Sequence, residues 1–280
     1  MNKMISGWLE SFKAFTPTNN NYLKFIKDNL VVILLFSFMA EGFQHYFLYT
    51  DKLTSGTTSL NMMAKFGQVM SSLLTLVFYQ LLMPLRLQHD PIGRKEAFWH
   101  FAQRQTGPYF LESMRVIGKC LLYLIGGLIV GGLLIMMKHR HDPAPPAFME
   151  TANFMQSPAE MAILAICLLP VFFYYVRYTF VPYVTLIDPE YQRGRRDALK
   201  HSFKLMTGVT APVLLVFLAL FKIESYRTRL REEYSLMTQP IVAFLLYIPF
   251  EMLGIYINIL LFYIYQLKQD SFDKSISGGG

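Results

Sequence analysis

Charge is scarce in this chain. Only 16% of its 280 residues are Asp, Glu, Lys or Arg, where a soluble domain carries about 25%. That deficit excludes an ordinary soluble domain. Cysteine is rarer still: Cys120 and Cys167 are the only two, and both stand inside apolar runs. A disulfide framework or a cysteine-rich zinc site is therefore not expected. The sequence has no G-x-S-x-G, H-E-x-x-H, P-loop or glycine-rich phosphate loop. Nothing points to nucleophilic, hydrolytic or phosphoryl-transfer chemistry, so no catalytic residue, metal or cofactor is assigned. No signal peptide is evident, because the first strongly apolar run begins at Leu30 and no small-residue cleavage site follows it.

What the chain has in abundance is apolar surface. Hydrophobic residues make up 53%, with 24 Phe, 17 Tyr and 16 Met. The apolar runs are spread along the whole length, which predicts a single all-α, polytopic membrane domain. A net charge of +7 and a pI near 9.3 could suggest nucleic acid. The positive-inside rule explains them better, and no nucleic-acid motif accompanies them.

The most informative stretch is GRRDALKHSFKLMTG, from Gly194 to Gly208. It is matched without gaps by GRKEAFWHFAQRQTG, from Gly93 to Gly107. Gly, Arg, Ala, His, Thr and Gly recur as Gly93/Gly194, Arg94/Arg195, Ala97/Ala198, His100/His201, Thr106/Thr207 and Gly107/Gly208. An Asp-Pro pair precedes each copy, at Asp90-Pro91 and Asp188-Pro189. The duplication predicts an internal two-fold repeat of apolar span, Asp-Pro turn, basic amphipathic helix, Thr-Gly and apolar span. In the second copy Leu199, Phe203 and Met206 share one helical face, while Arg196, Lys200 and Lys204 share the other. That is the pattern of a helix lying in a membrane interface. The first copy is a weaker version, with Arg94, Lys95 and Arg104 as its basic side. An ordinary cytoplasmic loop helix is the competing reading. His100 and His201, equivalent by the repeat, are expected at the interface on a solvated helix face, with head-group contact as the alternative.

The phrase from Tyr178 to Gly208, YTFVPYVTLIDPEYQRGRRDALKHSFKLMTG, resembles the YciC-like proteins and the membrane domain joined to some bacterial glycerophosphodiester phosphodiesterases. There an F-x-P span end leads to an acidic turn and then to A-L-x-x-S-x-x-L-x-x-G. Phe180, Pro182, Ala198, Leu199, Ser202, Leu205 and Gly208 stand at those positions, and the first copy departs from them with Phe101 in place of the serine. No phosphodiesterase catalytic domain is present, so that activity is not carried over. The resemblance implies a bacterial multi-pass inner-membrane protein.

Taken in order, residues 1–29 are expected to form an N-terminal cytoplasmic or interfacial segment, whose residues 1–16 make an amphipathic helix. Ile5, Trp8, Phe12 and Phe15 make its apolar stripe, and Thr16-Pro17 with Asn19-Asn20-Asn21 end it. A soluble partner-binding helix is the alternative. The transmembrane domain covers 30–266. Its first span, Leu30 to Tyr49, carries Glu41 and His45 one helical turn apart. A second span runs from Phe66 to Leu87. The third run, Pro108 to Met137, is about 45 Å long at helical rise, more than a bilayer core needs. Within it Gly127 and Gly131 form a GxxxG spacing suited to close helix packing.

A proline-rich outer loop follows at 138–158, and its His139-Arg140-His141-Asp142 could hold a metal, though no second ligand cluster supports one. The fourth span, Ala159 to Ile187, is expected to kink at Pro170 and Pro182. Val209 to Ile223 reaches only about 22 Å, so its helix must continue into 224–234 or the bilayer must thin there. The last span runs from Gln239 to Gln266, and 267–280 forms a flexible tail. Roughly two-thirds of the 26 Lys and Arg fall on one side when six spans are drawn with both termini inside. The two copies then point the same way, as in parallel-repeat transporters.

Arg177 stands inside the fourth span, where an unpaired charge costs at least about 2.5–3.5 kcal/mol. Counting depth along the spans pairs it with Glu251, either as a lock for the bundle or as part of a substrate site. Glu41 and His45 could relay protons or bind a cation, or form a wet face near the span end. The basic residues Arg94, Lys95, Arg104, Arg195, Arg196, Lys200 and Lys204 form a face for anionic lipid head groups or a protein partner. The expected function is therefore non-enzymatic: a scaffold or membrane subunit acting on lipids and inner-membrane partners in envelope homeostasis. A small transporter or lipid-handling protein using Glu41, Arg177 and Glu251 is the other reading.

Overall fold

The computed structural model describes residues 12–53, 70–71, 74–75, 77–88, 95–138, 158–233 and 240–277. Every regular element among them is helical. Among the described residues three helical segments are long and apolar enough to cross a membrane: Thr106–Lys138, Pro158–Ile187 and Ile248–Lys274. A fourth arises if the bent pair Ala198–Leu205 and Thr210–Ile223 counts as one span. These are the spans of a helical membrane protein by length and composition.

Helix α1 (Phe15–Leu53) runs without a break across residue 30. The expected stop at Thr16-Pro17 and the three asparagines is instead a helix start. A proline in the first turn lacks only an N–H that would have had no partner there. Thr18 donates its hydroxyl to Ala14 O at 2.7 Å and Asn21 its amide to Pro17 O at 2.9 Å, which draws both polar side chains back onto the helix. A π-helical turn at Val77–Leu82 leads into α2 (Met83–Gln88).

The long helix α3 (Lys95–Lys138) and α4 (Pro158–Arg177) pack on each other at the glycines. A Cβ built on Gly127 would lie 2.6 Å from the Cys167 carbonyl oxygen, and one on Gly131 would lie 3.1 Å from Leu164 Cδ1. The GxxxG spacing thus joins two helices of the same chain.

Pro170 is held within α4, whereas the span breaks at residues 178–180 and resumes as α5 (Val181–Ile187) with Pro182 in its first turn. Helix α5 is buried on nearly every side, with Val181, Val184 and Leu186 each at most 2% exposed and the Thr185 hydroxyl turned back onto the Val181 carbonyl, so it forms the centre of the core. The single turn α6 (Pro189–Gln192) and helix α7 (Ala198–Leu205) follow. Helix α8 (Thr210–Glu233) carries the short apolar run onward into 224–233, the first of the two expected alternatives. Helix α9 (Pro240–Ser277) corrects the last boundary. Residues 267–277, expected as part of the tail, continue the helix.

The two copies of the repeated text fold differently. The first runs straight through Thr106-Gly107-Pro108 inside α3. The second bends by 96° between α7 and α8. Gly208 has φ +91° at the bend, a left-handed conformation that glycine adopts without a Cβ clash. Phe101 carries no hydroxyl that could make the anchoring bond Ser202 makes to the Arg177 carbonyl.

A candidate functional site at residues 188–208

Asp188 begins the site. Its backbone is extended, and its carboxylate accepts the Glu190 amide at 2.8 Å, capping α6. The same carboxylate lies 3.0 Å from Arg196 Nη1 and is almost wholly buried. Arg196 reaches across with its other nitrogen to Asp273 on α9, at 2.7 Å, and its guanidinium lies over the Phe272 ring. Gln269 donates to Asp273 at 2.9 Å and pairs with His201 Nε2 at 2.7 Å. His201 is 5% exposed, stands edge-on to Phe272, and lies 3.7 Å from Asp188. These contacts close a ring between the motif and the end of α9. Arg196 and His201 therefore leave the solvated face expected for them. Burial works against the Arg196 cation, but Asp273 and Asp188 outweigh it and raise its pKa.

A second brace comes from α3. Asp197 caps α7 by accepting the Lys200 amide at 2.9 Å, and it accepts Arg115 Nη2 at 2.9 Å. Arg115 also donates to both oxygens of the buried Glu112, at 2.7 and 2.8 Å, and Tyr191 donates to Glu112 at 3.3 Å. Burial tends to raise the Asp197 carboxyl, but the Lys200 amide and the Arg115 guanidinium hold it below the usual carboxylate range. Burial, and then the Glu112 charge, push the Tyr191 phenol up to about 12.

The third brace closes the other end of α7. Arg177 Nη1 donates to Phe203 O at 3.1 Å and to Thr207 Oγ1 at 3.3 Å, while Ser202 donates its hydroxyl to Arg177 O at 2.9 Å. A cation at a helix C-terminus satisfies carbonyls that have no helical partner and opposes the negative end of the dipole.

The expected Arg177–Glu251 pair does not form. Glu251 instead accepts the Tyr79 hydroxyl at 2.6 Å. Arg177 sits beside the motif, and the motif meets α9 at Gln269, about five helical turns or roughly 27 Å from Glu251.

The amphipathic character of α7 is satisfied inside the protein. Ala198, Leu199, Leu205 and Met206 are each at most 3% exposed. On the outside, Lys200 and Lys204 are exposed, and Arg193 and Arg195 lean on Glu190 at 2.7 and 3.5 Å while remaining exposed. Lys95 and Arg104 lie in the backbone of α3 and Glu41 and His45 in that of α1, with side chains outside the described residues. Arg94, His139 and His141 fall outside them altogether.

Sequence reasoning missed Glu112, Arg115, Asp197, Gln269 and Asp273 as members of the site. The signal for Asp197 was present, since an Asp directly before the apolar Ala198-Leu199 that opens a helical pattern is an N-cap signature. Chemically the cluster holds a helix in place: its buried carboxylates are engaged by guanidinium, amide and phenol donors. No family model, curated protein or solved structure matches the chain.

Proposed function

We propose that this is a multi-pass inner-membrane protein of bacteria that works without catalysis, as a scaffold or membrane subunit contacting anionic lipids and protein partners of the envelope. One observation carries the reading. The 188–208 segment is braced from α3, α4 and α9, yet it leaves Arg193, Arg195, Lys200 and Lys204 exposed. A cation held on a fixed support keeps its attraction for anionic head groups, about 1 kcal/mol per Lys or Arg near the surface, without the entropy cost of ordering a loop. A transport route through Arg177 and Glu251 has less support, because the two charges have separate partners, the Phe203 carbonyl for Arg177 and the Tyr79 hydroxyl for Glu251.

The topology that goes with this reading has six spans, both termini cytoplasmic and the two repeats pointing the same way. Single cysteines tested in cells, in a background lacking Cys120 and Cys167, provide the check. Positions 55 and 147 label from outside, and positions 3 and 192 do not. Labelling of position 192 from outside overturns the arrangement. Reversing Arg195, Lys200 and Lys204 to glutamate weakens co-purification of anionic lipid while the spans still insert. If that variant keeps its lipid and loses a co-purifying protein, the face docks a protein instead.

A further inference from the structure

Arg177 caps α7 with one nitrogen only. Nη1 makes both of its hydrogen bonds, Nε is buried without a partner, and among the described residues no carboxylate pairs with the guanidinium. The contrast with the neighbouring arginines is informative. Arg115 meets Glu112 and Asp197, and Arg196 meets Asp188 and Asp273. Arg177 is instead framed by two rings, with its guanidinium carbon 5.0 Å from the Phe173 centroid and 4.4 Å from that of Phe203. Aromatic faces steady a cation without neutralising it.

The surroundings have the two-part chemistry of an amphiphile. Thr207 is exposed beside Arg177, and its hydroxyl lies 3.4 Å from Phe203 O, longer than a normal O–H···O bond, so its hydrogen is available to a better acceptor. Lys204 is exposed on the same turn. Stepping back along α4 by helical spacing from Arg177 come Phe173, Leu169 and Ile166, which are 43%, 59% and 65% exposed. A single helix face thus carries an unneutralised guanidinium at its end and a bare apolar track leading away from it.

We propose that Arg177, with Thr207 and Lys204, binds the phosphate of an anionic phospholipid whose acyl chain lies along Phe173, Leu169 and Ile166. The guanidinium fork and a hydroxyl suit a phosphate oxygen pair, and the phosphate supplies the missing counter-charge. The site rests on the membrane reading given above and adds to it a defined lipid position, separate from the outward face of Lys200. Free phosphate shares the head-group chemistry but leaves the apolar track unused.

The test uses the full chain, purified in detergent, stripped of lipid and titrated with phosphatidylglycerol, phosphatidylcholine or inorganic phosphate under native mass spectrometry. One phosphatidylglycerol is expected to bind in preference to phosphatidylcholine. Its affinity falls roughly ten- to hundredfold in Arg177→Lys, the effect of losing a charge-assisted hydrogen bond, and less in Thr207→Val. Ile166→Ser weakens the lipid and not inorganic phosphate. Equal binding in wild type, Arg177→Lys and Thr207→Val overturns the site. Thr207→Val decides the matter if Arg177→Lys does not fold, because it leaves the Arg177 cap on Phe203 in place. Binding of inorganic phosphate with the same dependence on Arg177, and no lipid preference, overturns the acyl part. Loss of lipid in Lys200→Gln but not in Arg177→Lys rejects this site and leaves the broader reading standing.

Discussion

At the scale of single residues, Arg196 separates what a sequence can say from what only a fold can. Its spacing with Lys200 and Lys204 places it on a basic stripe, which is correct for a helix. The chain, however, enters α7 only at Ala198, so Arg196 stands before the helix and turns inward to Asp188 and Asp273. Its side chain is 18% exposed and that of Asp188 is 1% exposed. Removing one partner of such a pair leaves a buried charge unmatched, at a cost of about 3 kcal/mol. Arg196→Met should therefore lower the thermal midpoint clearly, while Lys200→Met, on the exposed side of α7, should leave it almost unchanged. Equal effects in the two variants count against the brace.

Asp197 makes a pH-dependent contribution of known sign. Its carboxyl is held below its unfolded value, so the stabilisation is fully present above the usual carboxylate range and is lost as pH falls through the folded value. Asp197→Ala should cost about 1 kcal/mol near neutrality, the usual worth of an N-cap. The gap between variant and wild type should hold above about pH 4, the usual carboxylate value, and close as pH falls below it. Thermal unfolding in detergent across that range provides the measurement, and a gap that stays constant removes the cap from the account.

At the scale of elements, the apolar runs were legible because their lengths and the lack of charge speak for themselves. The GxxxG of α3 was legible for the same reason, since a missing side chain is visible in sequence. Gly127→Val should cost about 1–3 kcal/mol by overpacking, because its Cβ would sit 2.6 Å from a backbone oxygen that cannot rotate away. Gly126→Val is the control, since a Cβ there meets nothing within 4 Å. The thermal midpoints of the two variants should therefore separate. What could not be read was the partner of each amphipathic face. Periodicity says that Leu199 and Leu205 are covered, but lipid and protein cover an apolar stripe equally well. The polar stretch after Gln266 posed the opposite problem. Gln269 and Asp273 look like tail residues until the motif they hold is placed beside them.

At the scale of the whole molecule, the motif belongs to no single span. It is fixed from α3 by Glu112 and Arg115, from α4 by Arg177, and from the far end of α9 by Gln269, Phe272 and Asp273. Segments well separated in sequence must therefore assemble before residues 188–208 are held. Ending the chain after Leu267 tests this directly. It removes the whole α9 side of the clamp but leaves the apolar part of the helix to insert. Arg196 then loses Asp273, His201 loses both Gln269 and Phe272, and the cover over Asp188 is opened. Trypsin should cut at Arg193, Arg195 or Arg196 much faster than in the full chain, while the membrane-inserted fraction stays the same. Asp273→Ala should accelerate cleavage by a smaller amount, and Asp270→Ala, on the exposed side of α9, should not. If the shortened chain resists trypsin as well as the full one, then α3 and α4 suffice to hold the motif, and the end of α9 only rests against it.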